Sequence, residues 1–358
     1  MRNFFENIPP SADLSGFDEL IDVRAPIEFA EDHLSGAINL PVLEDSEREE
    51  VGTIYKQESS FAAKQKGAGL VSANIARQFE AHFSSKPRDY RPLVYCWRGG
   101  QRSASLATVL AEVGWEVGRL EGGYKAYRSH VVERLERAAS EFSFVVLNGY
   151  TGAGKTRVLG ALAEFGEQVV DLEGAANHKG SVFGGDPDHP QPAQKRFESL
   201  LFDAFSRFEP GRPVYVEAES AKIGRLNLPN PLWQTLKKAP VIEIESPVEA
   251  RAIHLLEDYE EWLDQLERVH ATIERLSGFH ANETLSRWKE LTREGKWNTF
   301  VEELLHEHYD QRYKIGGTGN YEAPDATILL PAHDPDSVAQ AAVEIRKAAS
   351  TQVLASKS

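Results

Sequence analysis

Gly149-Tyr150-Thr151-Gly152-Ala153-Gly154-Lys155-Thr156 is a complete phosphate-binding loop. The run before it, Phe142-Ser-Phe-Val-Val-Leu-Asn148, is of strand type, and Arg157-Val-Leu-Gly-Ala-Leu-Ala-Glu-Phe165 after it has helical apolar spacing. A strand, a glycine turn and a helix in that order give the pattern a mechanism. Gly149, Gly152 and Gly154 let the backbone bend so that its N–H groups face phosphate oxygens, with the helix N-terminus behind them. Lys155 is the cation for the terminal phosphate, and Thr156 is positioned to ligate a magnesium ion.

A second anion-cradling turn precedes this loop. Leu93-Val-Tyr-Cys96 reads as a strand ending at the chain's only cysteine, Gly99 and Gly100 make a turn, and Ser103 to Val113 reads as a helix stopped by Gly114. A thiol at a strand end, before a helix N-terminus and beside Arg98 and Arg102, is expected to be a thiolate at neutral pH. The spacing Cys96-x5-Arg102 is also that of the phosphate turn of cysteine phosphatases. Two anion sites in one chain imply two linked chemical steps.

Strands and helices alternate around both loops. Residues 17–42 predict a strand, a short helix begun near Pro26 and a second strand entered through Gly36, and residues 115–120 one more strand. Such alternation predicts a parallel α/β domain. A charged helix over 131–141 leads into the phosphate-loop strand, so the expected division is 1–137 and 138–358. Beyond the loop, residues 168–173, 213–220 and 239–245 read as buried strands ending in acids. Asp171, Glu217 and Glu219 are candidates for a magnesium shell, with solvated strand-end acids as the alternative. Residues 247–312 read as a charged helical region in which Trp262, Trp288 and Trp297 are expected to be packing anchors. Arg287, Lys289, Arg293 and Lys296 are open between a nucleic-acid contact and a solvated helical face. The tail after about 345 is small and polar and is expected to fray.

The bulk properties bound the function. A chain of 358 residues is long enough for two domains with their own cores. A hydrophobic content of 41% and a charged content of 27% are those of an ordinary soluble protein, and no segment approaches the ~20 apolar residues of a membrane span. A cytoplasmic location is therefore expected. One cysteine excludes an internal disulfide framework, a zinc thiolate cluster and a resolving partner, so Cys96 acts alone if it reacts. A net charge of −15 argues against a broadly nucleic-acid-coated surface and leaves room for one local basic groove.

Asp22-Val-Arg-Ala-Pro-Ile-Glu-Phe29, His33-Leu-Ser-Gly-Ala-Ile-Asn-Leu-Pro41, the Cys96 turn and Gly122-Gly-Tyr-Lys-Ala-Tyr127 together resemble a rhodanese domain, the fold that transfers sulfur through a cysteine persulfide. Joined to a phosphate-loop domain, they resemble the tRNA 2-selenouridine synthase family. That resemblance extends through residues 171–184, Glu217-Ala-Glu-Ser220 with Ile223-Gly224, and His308-Tyr-Asp-Gln-Arg-Tyr313. It implies an α/β fold with an N-terminal rhodanese-like parallel-sheet domain and a P-loop NTPase-like domain carrying a helical C-terminal region. It also implies replacement of sulfur by selenium at the wobble 2-thiouridine of tRNA, by S-geranylation with geranyl diphosphate and then selenation with selenophosphate. Cys96 with Arg98, Gly99, Gly100 and Arg102 would serve selenophosphate, and Gly149, Gly152, Gly154, Lys155 and Thr156 the diphosphate. No tightly bound cofactor is implied, and magnesium is left open. The family's loop is usually serine-rich where this chain has Tyr150 and Thr151, which bears on side-chain contacts at the loop tip. The alternatives are a cysteine phosphatase or sulfurtransferase fused to a small-molecule kinase, and a non-enzymatic nucleotide-gated scaffold.

Overall fold

The computed structural model describes residues 5–180, 183–185, 189–312 and 321–355. Ser181, Val182 and Tyr313, which belong to the blocks of the family resemblance, lie outside them. The chain forms two compact units: residues 1–135 with 192–203, and residues 136–191 with 204–358. It therefore passes between units three times, where a single boundary near 138 was expected.

The first unit holds five strands, β1 Glu6–Ile8, β2 Glu19–Asp22, β3 Ala37–Asn39, β4 Pro92–Tyr95 and β5 Gly118–Leu120. They form one parallel sheet in the order β1-β5-β4-β2-β3. β4 is central and buried along its whole length, which carries Cys96 to the sheet's C-terminal edge. The Asp22-Val-Arg24 block is part of the frame. Arg24 is fully buried, forms a forked pair with Asp22 (Nη2 to Oδ2 2.6 Å), donates to the Asp32 carbonyl at 2.6 Å and lies 3.8 Å over the Tyr124 ring. A buried guanidinium needs such complete pairing. Asp32 in turn accepts from Tyr124 Oη at 2.8 Å and Ser199 Oγ at 2.9 Å. That second contact, with the pairing of Arg128 and Glu198, is why residues 192–203 belong to this unit.

The second unit contains β6 Ser143–Asn148, β7 Gln168–Val170, β8 Pro213–Glu217, β11 Val241–Glu245 and β12 Ala326–Leu329, with a small hairpin of β9 Lys222–Ile223 and β10 Leu226–Asn227. The five-stranded sheet is parallel in the order β12-β11-β6-β8-β7, so the phosphate loop leaves from the central strand. Residues 248–312 are helical, with Trp288 fully buried in an apolar cluster. The backbone stays helical beyond 345, where fraying was expected, as far as Ala355. A helix runs over Pro335–Ala355, and Val338, Ala341, Ala342, Ile345 and Ala349 are buried against Val158, Leu159 and Leu162 of the helix Lys155–Glu164. Their spacing of three and four residues is an amphipathic stripe, and its alanines allow close approach of the two helices.

Candidate active sites

The Cys96 turn is built by backbone. β4 ends at Tyr95, and the helix Gln101–Val113 begins at Gly100. Cys96 is buried, its Sγ accepts from the Gly100 amide at 3.2 Å, and Ser103 Oγ lies 3.3 Å away. The amides of Tyr124 and Lys125 donate to the carbonyls of Cys96 and Trp97 at 2.9 Å each, which ties the Gly122-Gly-Tyr-Lys block to the underside of the turn. Arg98 is exposed, and Arg102 Nη1 donates to Glu28 at 2.9 Å. Burial would raise the Glu28 carboxyl, but Arg102 and then Arg48 hold it below the usual carboxylate value. Ser103, in the first turn of the helix after the cysteine, is the sulfur's side-chain neighbour that sequence reading passed over.

The phosphate loop has positive φ at Gly149, Gly152 and Gly154 (+154°, +77° and +84°), conformations that other residues resist. Lys155 Nζ bends back to the Gly149 carbonyl at 3.2 Å. Arg251, almost fully buried, donates to the Thr151 carbonyl at 2.9 Å and pairs with both oxygens of Asp310 at 2.6 and 3.0 Å. The His308-Tyr-Asp block thus holds the loop tip from behind, and the Tyr150 ring lies 5.2 Å from the same guanidinium. His333 sits beside Gly154, bonded to Ser246 Oγ at 2.9 Å, and burial, then His254, lowers its pKa to about 4.

The loop opens on a pocket of about 440 Å³ in the second unit, whose lining includes Lys155, Asn177, His178, Glu219 and Tyr321. Asn177 adopts φ +46° at the end of a short helix, and Gly180 donates to His178 Nδ1 at 3.1 Å. The segment 177–180 thereby folds over the acids. A side chain at Gly180 would meet the carboxylate oxygens of Glu219 at 2.7 Å and Glu173 at 2.8 Å.

The acids expected at a magnesium shell are engaged locally. Asp171 caps its helix by accepting from the Gly174 amide at 2.7 Å. Glu217 is buried, accepts from the Glu173 amide at 2.7 Å, and is raised well above its ordinary pKa by burial and by Asp171. Glu219 lines the pocket with Lys155 and hydrogen-bonds Glu173; burial, then the Glu173 charge, pushes it up to about 8. Among the described residues no three carboxylate, imidazole or thiol groups converge to hold a metal. Thr156, Asp171, Glu173 and Glu219 line the same pocket as Lys155; a magnesium ion arriving with a diphosphate would need only one or two such oxygens, its other ligands being phosphate and water. Of the basic candidates, Arg287, Lys289 and Lys296 pair with Glu303, Glu274 and Glu294, as on a solvated helical face.

A parallel-sheet unit with a cysteine turn and a second with a phosphate loop define a two-part α/β protein of rhodanese and P-loop type. Residues 11–130 match the rhodanese-like domain model, and residues 142–287 match that of the tRNA 2-selenouridine synthase AAA domain. The chain is similar to the tRNA 2-selenouridine synthase of Shewanella frigidimarina, with 41% identity over 68% of this chain and 66% of that protein. It is 34% identical to that of a Sulfurovum species over 86% of this chain and 92% of that protein, and 35% identical to that of Pseudomonas fluorescens over 82% and 87%. The chain belongs to the tRNA 2-selenouridine synthase family.

Proposed function

We propose that the protein replaces the sulfur of the wobble 2-thiouridine in tRNA by selenium, in the cytoplasm, through an S-geranyl intermediate. What supports this reading is the pairing, in one chain of this family, of a cysteine turn and a phosphate loop, each in its own compact unit. In the first step the thiouridine sulfur attacks the allylic carbon of geranyl diphosphate. The C–O bond breaks, its electron pair leaves on diphosphate, and the nucleobase loses its N3 proton. Charge grows on the departing diphosphate, and Lys155 with the free amides of the loop, which line the pocket, would stabilise it there more than in the ground state, Lys155 exchanging its bond to the Gly149 carbonyl for the phosphate.

In the second step selenophosphate supplies selenium. Its P–Se bond breaks as water adds to phosphorus, phosphate leaves, selenium bonds to C2, and geranylthiolate departs from the same carbon. The Gly100 amide and the helix start behind Cys96 complement negative charge at this site. No described helix is long and apolar enough to cross a membrane.

Nucleoside mass spectrometry of tRNA from cells lacking the protein tests the reading. Loss of 2-selenouridine with accumulation of 2-thiouridine is expected. An unchanged set of 2-thiouridine derivatives would overturn it.

A further inference from the structure

The phosphate-loop pocket does not end in water on all sides. Thr151, Leu255, Tyr259 and Tyr309 line it and also line a narrow apolar slot of about 70 Å³ within the same unit. Beyond those four, the slot is walled by hydrocarbon and aromatic side chains, among them Trp262, Val269, Trp297, Phe300 and Val301. Among the described residues no charged side chain lines it. Trp262 and Trp297, expected only to anchor packing, are half-buried members of the helical cluster, and their open faces are the slot walls. A base and a ribose need hydrogen-bond partners that such walls lack, and leaving them unpaired is costly. An anion cradle continuous with a hydrocarbon slot fits one chemical class, a diphosphate ester of a hydrocarbon chain.

We propose that this slot holds the hydrocarbon chain of the diphosphate bound at loop 149–156, and that Val269, Trp297 and Val301, which line the slot and not the phosphate-loop pocket, set the chain length accepted. The proposal rests on the reading above for the alkyl diphosphate as substrate, and it adds the residues that choose among such diphosphates. Each carbon buried in the slot adds affinity, until the chain is longer than the slot and its end must displace packed side chains. A valine to tryptophan change at position 301 shortens the slot, and a valine to alanine change there deepens it.

The test is calorimetric titration of the full chain with inorganic pyrophosphate and with dimethylallyl, geranyl and farnesyl diphosphates. The unmodified chain is expected to bind geranyl diphosphate at least about tenfold more tightly than pyrophosphate, given the value of each buried methylene. Val301→Trp should move the preference to the five-carbon ester while pyrophosphate binding stays unchanged, and Val301→Ala should raise farnesyl affinity relative to geranyl. Retained pyrophosphate binding reports a folded loop. If Val301→Trp loses it, the smaller Val301→Ala change decides. Geranyl diphosphate binding no tighter than pyrophosphate, or a chain-length order that Val301→Ala leaves unchanged, would overturn the proposal. Tight geranyl diphosphate binding by a chain whose deletion leaves tRNA unaltered would instead overturn the tRNA reading and keep the slot.

Discussion

Gly123 has no room for a side chain. A Cβ there would lie 2.2 Å from the Cys96 carbonyl oxygen and 2.4 Å from the Gly99 nitrogen, and its φ of +62° is one that alanine resists. Gly123→Ala must therefore shift the cysteine turn relative to the start of its helix. Selenation of supplied S-geranyl tRNA is expected to fall about 100-fold, the usual cost of an ångström's misplacement, with geranylation retained. Wild-type selenation by a folded Gly123→Ala protein would show that this contact does not define the turn. Glu219 makes a different argument at the same scale. Burial and Glu173 push its pKa up to about 8, so it is neutral at pH 7 and ionises as pH rises through that value. Its new charge then faces the bound diphosphate across the pocket that Lys155 shares. Pyrophosphate affinity is expected to weaken between pH 7 and 9, and Glu219→Gln should remove most of that dependence. Equal pH profiles for the two proteins would rule out Glu219 as its source. The same raised pKa means that the folded chain keeps a proton the unfolded chain releases. Glu219 thus lowers stability progressively as pH rises from its ordinary value of 4.5 toward 8.

At the scale of elements, the phosphate loop is held by a helix that follows β11 and by a short helical segment far along the chain. Arg251 belongs to the helix Val248–Asp258, and its partner Asp310 directly follows the π-helical segment Leu305–Tyr309 and opens the short helix Asp310–Arg312. Asp310→Ala leaves a buried guanidinium unpaired, a loss of about 3–5 kcal/mol for a pair of this kind. Denaturant unfolding should register it, and the Thr151 carbonyl should lose its fixed donor, weakening pyrophosphate binding as well. A loss below about 1 kcal/mol would place the pair among ordinary surface bridges. The parts of this assembly differ in how far the sequence discloses them. The loop, its strand and its helix are contiguous, so glycine positions and apolar period suffice to find them. The same is true of the Cys96 turn. Arg251 and Asp310 are 59 residues apart, and nothing local marks them as partners. β12 pairs parallel to β11 across the whole helical region, so its place at the sheet edge depends on contacts that short-range pattern does not encode. Asp171 is the opposite case, an acid at a strand end whose carboxylate is captured three residues on as a helix cap.

At the scale of the whole molecule, each unit carries its own parallel sheet, its own apolar cluster and one of the two loops proposed to take an anion. The family blocks in the sequence disclose this pairing of functions. They do not disclose that residues 192–203 return to the first unit, because Ser199 is drawn there by the buried Asp32, a demand visible only once the fold is formed. One site in each unit, as proposed, predicts two separable half-reactions. Cys96→Ala should geranylate tRNA and stop, accumulating S-geranyl-2-thiouridine, since the thiol lies in the unit without the phosphate loop. Lys155→Ala should fail to geranylate, because the departing diphosphate loses its cation, yet it should selenate S-geranyl tRNA supplied to it. Mixed together, the two proteins contain one intact copy of each site on different chains. If S-geranyl tRNA dissociates between steps, the mixture converts 2-thiouridine to 2-selenouridine at a rate that rises with the concentration of the Lys155→Ala protein. Nucleoside mass spectrometry over time, with each mutant alone as the control, measures this directly. A mixture that stalls at the S-geranyl nucleoside, although Lys155→Ala alone selenates purified S-geranyl tRNA, would contradict release and require that the intermediate pass between sites of one chain without leaving it.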